Sequence, residues 1–393
     1  MIIFRNNQWE HSGWPIDRPT PDRPIGIGIL GTGFAAKLRA TAIQENPRCR
    51  LVGVGGRDPE RTHQFSATFG VPAFTPETLL AQANRDPERD TDLASPLDLV
   101  VVTTVNALHG PLVRSALERG LHVVVDYPLS LTAAEATDLI ALAQRQRRLL
   151  HVEHIELLGG WHQSLRQSLP QIGTPRWVRY ATIKVDRPAP DRWGYHRSQF
   201  GFPFIGALSR IHRLTDVLGP VASVSCQAQY WPVSSLGTAG DPSPGDPVLP
   251  SPGFAPKTAP DAKPHPDRPD RFGTCLCTAQ LFFQSGALAT VTYGKGEALW
   301  RNERYMEVQG DRGALRYDQD AAVLVTETGE TALDVGGRRG LFAQDTEAVV
   351  AYLLEDKPLY IYPAASLYAL QVAEAAQRAA ATGQTQPMQI GLF

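Results

Sequence analysis

The sequence predicts an α/β Rossmann-like domain on a parallel sheet, then an α+β domain with a large, mainly antiparallel open sheet. Three observations carry that prediction. Short runs that are apolar throughout alternate with helical stretches in the first part, as in strands buried on both faces. After about Leu150 the apolar residues fall on every second position, in runs separated by turns, as in antiparallel strands with one solvated face. The first apolar run, Ile25 to Leu30, leads directly into Gly31-Thr32-Gly33-Phe34-Ala35-Ala36 and a helix.

A chain of 393 residues is long for one core, and two domains are expected. Residues 1–23 are polar and increasingly proline-rich, so they read as an extension laid on the domain or left mobile. The first domain, 24–150, is predicted to hold strands at Ile25–Leu30, Leu51–Gly55, Leu99–Val102 and Leu121–Val125. Helices are predicted after each, over Phe34–Gln44, Pro59–Phe69, Leu108–Glu118 and Thr132–Arg147. The second domain, 151–393, has period-two runs at 177–185, 221–230, 275–283, 288–293, 305–309 and 322–326. Helices are predicted over 203–218, 342–354 and 364–380. Between 232 and 270 Pro, Gly, Ser and Asp crowd out large apolar residues, so burial cannot offset the entropy of ordering. This segment reads as a disordered insertion between two strands, a lid over the site being the alternative.

Charge and cysteine content narrow the function. With 38 Lys and Arg against 40 Asp and Glu, the chain has no bulk charge to favour nucleic acid or a membrane surface. No apolar run reaches the roughly 20 residues that span a bilayer, and Arg5, Trp9 and Glu10 do not form a signal core. The four cysteines are too few for a disulfide framework, and Cys275-x-Cys277 has no second ligand pair for zinc. A cytoplasmic protein with reduced thiols and no metal is expected; monomer and dimer stay equally open.

The glycine loop is specific because of its context. It follows a strand, opens a helix and lies in a βαβ unit, as dinucleotide binding requires. Gly31 makes the tight turn, Gly33 admits the pyrophosphate and Ala36 lets helix and strand pack closely. The pyrophosphate then lies on the N–H groups of the helix N-terminus. The second strand ends in Gly55-Gly56-Arg57, where an acid would grip a ribose 2′-hydroxyl. Arg57 instead suits a 2′-phosphate, so NADPH is the expected cofactor and NADH the second choice. Asp58 is left either to cap the next helix or to face a ribose.

From Ile25 onward the chain resembles the glucose–fructose oxidoreductase / inositol dehydrogenase family. Its Asn-x-x-His is matched by Asn106-Ala107-Leu108-His109, and its Glu-Lys-Pro by Asp126-Tyr127-Pro128. The resemblance places Thr104, Asn106, His109, Asp126 and Tyr127 at the cofactor, and His109 is expected to orient cofactor or backbone. In sugar-oxidising members the lysine is catalytic, with an Asp and a His four apart on a helix of the second domain. The aligned positions here are Ser209 and Arg213, or Leu208 and His212 if the register moves by one. The lysine and the carboxylate are missing in both registers. Dehydrogenating a hydroxyl needs a base within reach, and a tyrosine with its ordinary pKa near 10 is a poor one.

One branch of the family shares these departures. His151-Val-Glu-His-Ile-Glu-Leu-Leu-Gly-Gly160, Gln199-Phe-Gly-Phe-Pro203, Ala207-Leu-Ser-Arg210, Tyr293-Gly-Lys-Gly-Glu297, Arg339-Gly-Leu-Phe342 and Gln344-Asp-Thr-Glu347 resemble biliverdin reductases, the cyanobacterial kind above all. That resemblance implies reduction of the tetrapyrrole biliverdin to bilirubin, with hydride to the central bridging carbon and a proton to a pyrrole nitrogen. It implies that Arg210 and Arg213, three apart on one helix face, flank the reacting pyrrole. Arg210, Arg213 and Tyr127 are thus the expected catalytic residues. Arg192, Trp193 and Lys295 are expected with the arginines around the bilin. His154 reads as an interdomain histidine, a proton relay being the alternative. Two other functions compete: a dehydrogenase or reductase of a sugar-like substrate with His212 as acid/base, and a bilin- or NADP-binding regulator without turnover.

Overall fold

The computed structural model describes residues 3–5, 8–10, 13–84, 96–233, 270–319, 321–337 and 339–388, with backbone alone for 3–5 and 8–10. Strands β1 (Ile3–Arg5) and β2 (Gln8–Glu10) form an antiparallel hairpin. The first large sheet contains β3 (Ile25–Leu30), β4 (Cys49–Gly55), β5 (Ala73–Phe74), β6 (Leu99–Val102), β7 (His122–Asp126) and β8 (Leu150–Glu153). It is parallel throughout, in the order β5-β4-β3-β6-β7-β8. Helices α1 (Phe34–Glu45), α2 (Pro59–Phe69), α3 (Pro76–Leu80), α4 (His109–Glu118) and α5 (Ala133–Arg145) connect its strands. The order reverses between β3 and β6, and ligands of open α/β sheets bind beyond the strand ends at such a point.

These strands are apolar throughout because both faces are covered: every residue of β3 and β6 is buried. The sheet continues through Glu153, past the boundary expected at Leu150, because Leu150–Glu153 pairs with β7. The residues leading into β3 lie along the first domain. Trp14 Nε1 donates to the Arg148 carbonyl (3.0 Å), Arg147 pairs with Asp17 (2.7 Å), and Arg18 binds the Tyr352 carbonyl.

The chain then runs through α6 (Gly160–Ser168) and β9 (Pro175–Val185) into α7 (Arg197–Phe200), α8 (Pro203–Gly206) and α9 (Ser209–Leu218). Strands β10 (Val221–Trp231), β11 (Thr274–Phe283), β12 (Leu288–Gly296) and β13 (Glu303–Gly310) follow, then β14 (Gly313–Asp318), β15 (Ala321–Thr326) and β16 (Gly329–Leu333). Helices α10 (Leu341–Glu355) and α11 (Pro363–Thr382) and the short β17 (Gln386–Pro387) complete the fold. The nine-stranded sheet has the order β16-β15-β14-β13-β9-β12-β11-β10-β17. It is antiparallel except where β9 meets β12. That parallel pair arises because the chain crosses from β9 through α7–α9 to β10, then returns across the sheet.

Two expectations need correction. The helix predicted over 203–218 is two helices, broken at Ala207, which leaves helical geometry (φ −118°, ψ 40°). The Phe200 ring presses on Gly206, where a Cβ would come within 2.5 Å of it. Strands β14 and β16 escaped the sequence reading because they are short and largely polar on the outward side. The insertion predicted between 232 and 270 lies, over 234–269, outside the described residues.

Helix α11 packs on α5, α8, α9 and β10, joining the two sheets. One apolar core accordingly runs from Leu30, Val100 and Val123 through Phe204 and Leu214 to Val291 and Leu370. Among the described residues no helix is long and apolar enough to cross a membrane, and all four cysteines are free thiols.

Candidate active site

The dinucleotide cradle begins at Gly31, whose φ of +134° and approach to the Thr103 carbonyl exclude a side chain; a Cβ would sit 2.1 Å from that oxygen. A Cβ on Gly33 would meet nothing within 4 Å, so open space lies above the loop. Helix α1 starts at Phe34 without a side-chain cap, which leaves its first N–H groups facing that space with the positive dipole end. Thr32 and Ala35 complete the loop, and Ala36 is fully buried against the sheet. The residues fit a pyrophosphate.

Beside the loop a cleft of about 720 Å³ is lined by Gly56, Arg57, Thr62, His63, Phe74 and Gln82. Arg57 is exposed at its rim. Asp58 resolves its two alternatives in favour of the helix: its carboxylate accepts from the Arg61 N–H (3.1 Å) and caps α2. Asp58 is thus engaged by the helix, and Glu77 is the carboxylate that shares the cleft lining with Arg57.

The loop after β6 is fixed by His109. Its Nδ1 lies 2.8 Å from the Pro128 carbonyl and its Nε2 3.3 Å from that of Thr104, tying together the ends of β6 and β7. Burial lowers its pKa, so the neutral ring carries one proton, which the geometry directs to Pro128. His109 thereby holds the two strand ends together through their backbone. Asn106 reaches across to the second domain, donating from Nδ2 to the Phe200 carbonyl (3.0 Å).

Tyr127 stands at the end of β7 with its ring stacked on His154, centroids 4.9 Å apart and planes within 10°. His154 in turn meets His212 edge-on at 4.0 Å and places Nε2 2.9 Å from Ser366 Oγ. Burial pushes the Tyr127 hydroxyl up to about 12, against the pull of Arg210 and a hydrogen bond with Ser209. Tyr127 is a neutral phenol here, not a base.

Arg210 opens α9 with Nη1 on Ser209 Oγ (2.9 Å) and its guanidinium 5.3 Å from the Tyr293 ring centre. Burial opposes its charge, but Arg210 keeps its proton, with the Glu156 carboxylate nearby favouring the cation. Phe200 lies against Tyr293 (6.4 Å, near-parallel), and Trp193 against Phe200 (6.0 Å). Trp193, Phe200 and Tyr293 thus descend as one aromatic wall towards Arg210 and Tyr127.

The expected pairing of Arg210 with Arg213 is not what the structure holds. Arg213 is 1% exposed and its Nη2 pairs with Glu156 at 3.1 Å, also donating to the Glu156 carbonyl. Arg213 holds Glu156 directly, whereas Arg210 lies over Tyr293 with Glu156 a more distant charge. Arg192 is half exposed and pairs with Asp186 (3.3 Å), at the rim. Lys295 is buried beneath the Trp193 turn, with its ammonium on the Gly194 carbonyl instead of in the slot.

A second cluster had not been expected. Arg39 of α1, 1% exposed, binds Asp345 of α10 and lies 3.7 Å from Asp126 and 4.0 Å from Glu153. Asp345 Oδ1 also accepts from Tyr360 (2.6 Å) and faces His151 Nε2 (2.8 Å). One guanidinium cannot neutralise three carboxylates at this depth. Burial pushes Glu153 well above the ordinary carboxyl range, while Arg39 and His151 overcome burial to hold Asp345 below it. Asp126, expected at the cofactor, belongs to this cluster. The sequence signal was present: Arg39 shares the buried face of α1 with Ala36, Ala40 and Ile43. Among the described residues no three His, Cys, Asp or Glu side chains are placed to hold a metal ion.

A glycine cradle on a parallel sheet, with an aromatic and arginine cluster of a second domain packed against its strand ends, defines a nicotinamide-dependent oxidoreductase. Residues 25–154 match the model of the Gfo/Idh/MocA oxidoreductase family, NAD-binding Rossmann fold, and residues 169–390 its C-terminal alpha/beta domain. The chain belongs to the Gfo/Idh/MocA family and is an NAD(P)H-dependent oxidoreductase. It is 42% identical to the biliverdin reductase of Synechocystis sp. PCC 6803, solved with biliverdin and NADP⁺ (TM-score 0.76, covering 91% of this chain and 99% of that one). Mouse biliverdin reductase A is 25% identical over 52% of this chain and 62% of its own. The uncharacterized oxidoreductase YdgJ of Escherichia coli is 32% identical over 43% of this chain and 46% of its own. The chain thus spans about half to three-fifths of these two curated relatives.

Proposed function

We propose that this protein reduces biliverdin to bilirubin with NADPH. The observation that carries the reading is a juxtaposition between the domains: a cation, Arg210, set over Tyr293 and beside the neutral phenol of Tyr127. Oxidising an alcohol needs a base at that place, and a phenol held up to about 12 does not supply one. Reducing a flat conjugated tetrapyrrole needs an apolar wall, a cation and a route for one proton.

When bound, the nicotinamide supplies the hydride for the central bridging carbon. The chain's residues do the rest. Trp193, 37% exposed, offers a flat face for stacking, with Phe200 and Tyr293 packed behind it. Arg210 stabilises charge at the pyrrole nitrogen and orders a water that protonates it, since a guanidinium is itself a reluctant acid. Arg213, engaged with Glu156, positions α9. Arg57 binds the 2′-phosphate and gives the preference for NADPH over NADH. The similarity to the Synechocystis enzyme over 91% of the chain supports the same assignment.

His212, the acid/base of a sugar-oxidising alternative, is 1% exposed and edge-on to His154, which speaks against that reading. The test mixes purified protein with biliverdin and NADPH and follows green pigment absorption giving way to yellow. Binding without colour change would favour a regulator. The absence of both binding and turnover would overturn the bilin reading.

A further inference from the structure

Lys295 lies near the end of β12, opposite Cys275 of β11 and Lys184 of β9 in the sheet register, and is 7% exposed. The nearby carboxylate, Asp186, is already engaged by Lys184 (3.1 Å), Arg192 (3.3 Å) and the Tyr195 hydroxyl (2.6 Å). What surrounds the ammonium is aromatic. Its Nζ lies 3.3 Å from the centre of the Phe200 ring, 5.1 Å from that of Tyr195 and 5.5 Å from that of Phe272, and it donates to the Gly194 carbonyl.

A buried ammonium is drawn to ring faces by their quadrupole and to a carbonyl by its dipole. An amine in the same place loses the first attraction and most of the second. The contacts also link separate pieces of chain. Gly194 and Tyr195 belong to the short turn Trp193–Tyr195, whereas Phe200 ends α7 and lies between Trp193 and Tyr293 in the aromatic wall. Asp186 fastens the turn from its other side through Arg192 and Tyr195. One anchor is a set of ion pairs and hydrogen bonds; the other depends on a single proton.

We infer that Lys295 is a positioning residue, the latch of the Trp193–Tyr195 turn: as an ammonium it holds Gly194 against Phe200 and sets Trp193 at the mouth of the slot, and as an amine it releases them. Burial pulls Lys295 down to about 8, with Arg192 and Lys184 lowering it further and Cys275 and Asp186 opposing. Tyr195, bonded to Asp186, Glu297, whose carboxylate accepts from the Ala189 N–H (2.9 Å), and Tyr293 and Arg197 beside Tyr195 and Cys275 are the further titratable or charged groups on the elements packed there. The latch therefore opens just above neutral pH.

Hydrogen exchange of segment 192–200, corrected for intrinsic rates, tests this in the intact protein without substrate. From about pH 7 to about pH 9.5 the wild-type segment should lose protection by about tenfold. Lys295→Met and Lys295→Gln, which fill the cage without charge, should show that low protection at both values. A wild-type segment indifferent to pH, or variants protected like wild type at neutral pH, would overturn the latch. Its service to the substrate rests on the biliverdin reading: both variants should raise KM for biliverdin about tenfold with NADPH affinity and kcat unchanged. If exchange responds as stated while the wild type leaves biliverdin unreduced, the latch stands and the biliverdin reading fails. If biliverdin is reduced and exchange does not respond, the reverse holds.

Discussion

Tyr127 and His154 stack with ring centres 4.9 Å apart, and the pair joins the end of the parallel sheet to the segment that leaves it. His154 is fully buried, and burial keeps it neutral, well below the ordinary histidine range, with His212 and His151 adding to the effect. The stack is thus two uncharged rings. It fixes where the phenol stands without ionising it.

Tyr127→Phe keeps the stack and removes the hydroxyl. General acid catalysis by a side chain contributes about 10²–10⁴-fold. With a proton held up to about 12, Tyr127 should contribute far less, and kcat should fall by under about tenfold. A loss of a hundredfold or more in steady-state kinetics would make the hydroxyl the proton carrier.

The two arginines of α9 should separate by the kind of damage their loss causes. Arg210→Met should reduce kcat by about a hundredfold or more at nearly unchanged Tm, as expected for a cation acting on the transition state. Arg213→Met removes the ion pair with Glu156 and should cost about 1–3 kcal/mol in a denaturant titration, with a smaller kinetic effect. Equal kinetic losses would restore the paired role expected from the sequence.

Arg57→Ala removes the proposed charge-assisted contact to the 2′-phosphate, worth about 1.5–3 kcal/mol. KM for NADPH should rise about tenfold to a hundredfold while KM for NADH stays unchanged. An unchanged ratio of the two would place the 2′-phosphate elsewhere.

The Arg39 cluster predicts opposite pH dependences from two carboxyls. Asp345 has a folded pKa below its ordinary 3.8, so its contribution is present above that value and lost as pH falls through the folded one. Asp345→Asn should destabilise the protein by about 3–5 kcal/mol at neutral pH and flatten its acid limb. Glu153 has a folded pKa above its ordinary 4.5, so its contribution is complete below that value and lost as pH rises through the folded one. Glu153→Gln should therefore make the protein relatively more stable at alkaline pH. Chemical unfolding across pH, with both variants sloping alike, would refute the assignment.

Much of the fold could be read in the sequence because its signals are local. Ile25 to Leu30 and Leu99 to Val102 are apolar throughout because both faces are covered, and the glycine loop announces its ligand by position alone. What was missed depends on distant partners. Arg210 and Arg213 look equivalent on a helix, and only the packing of Glu156 against α9 tells them apart. Lys295 reads as a free cation until Phe200 and Gly194, about a hundred residues earlier, are seen around it. Asp345 gives no local sign that it will meet Arg39 across the two domains. The parallel pairing of β9 with β12 escaped for the same reason, since a crossover leaves no mark in period-two patterning.

The hydrogen bond from Asn106 to the Phe200 carbonyl has a thermodynamic consequence. Asn106 belongs to the loop after β6, proposed to meet the nicotinamide half of the dinucleotide, and Phe200 to the aromatic cluster proposed to receive the bilin. A ligand that shifts either loop changes the free energy of the other, and by reciprocity the effect is equal in both directions. The two ligands should show non-independent affinities: saturating with one should move the dissociation constant of the other, by the same factor whichever is added first.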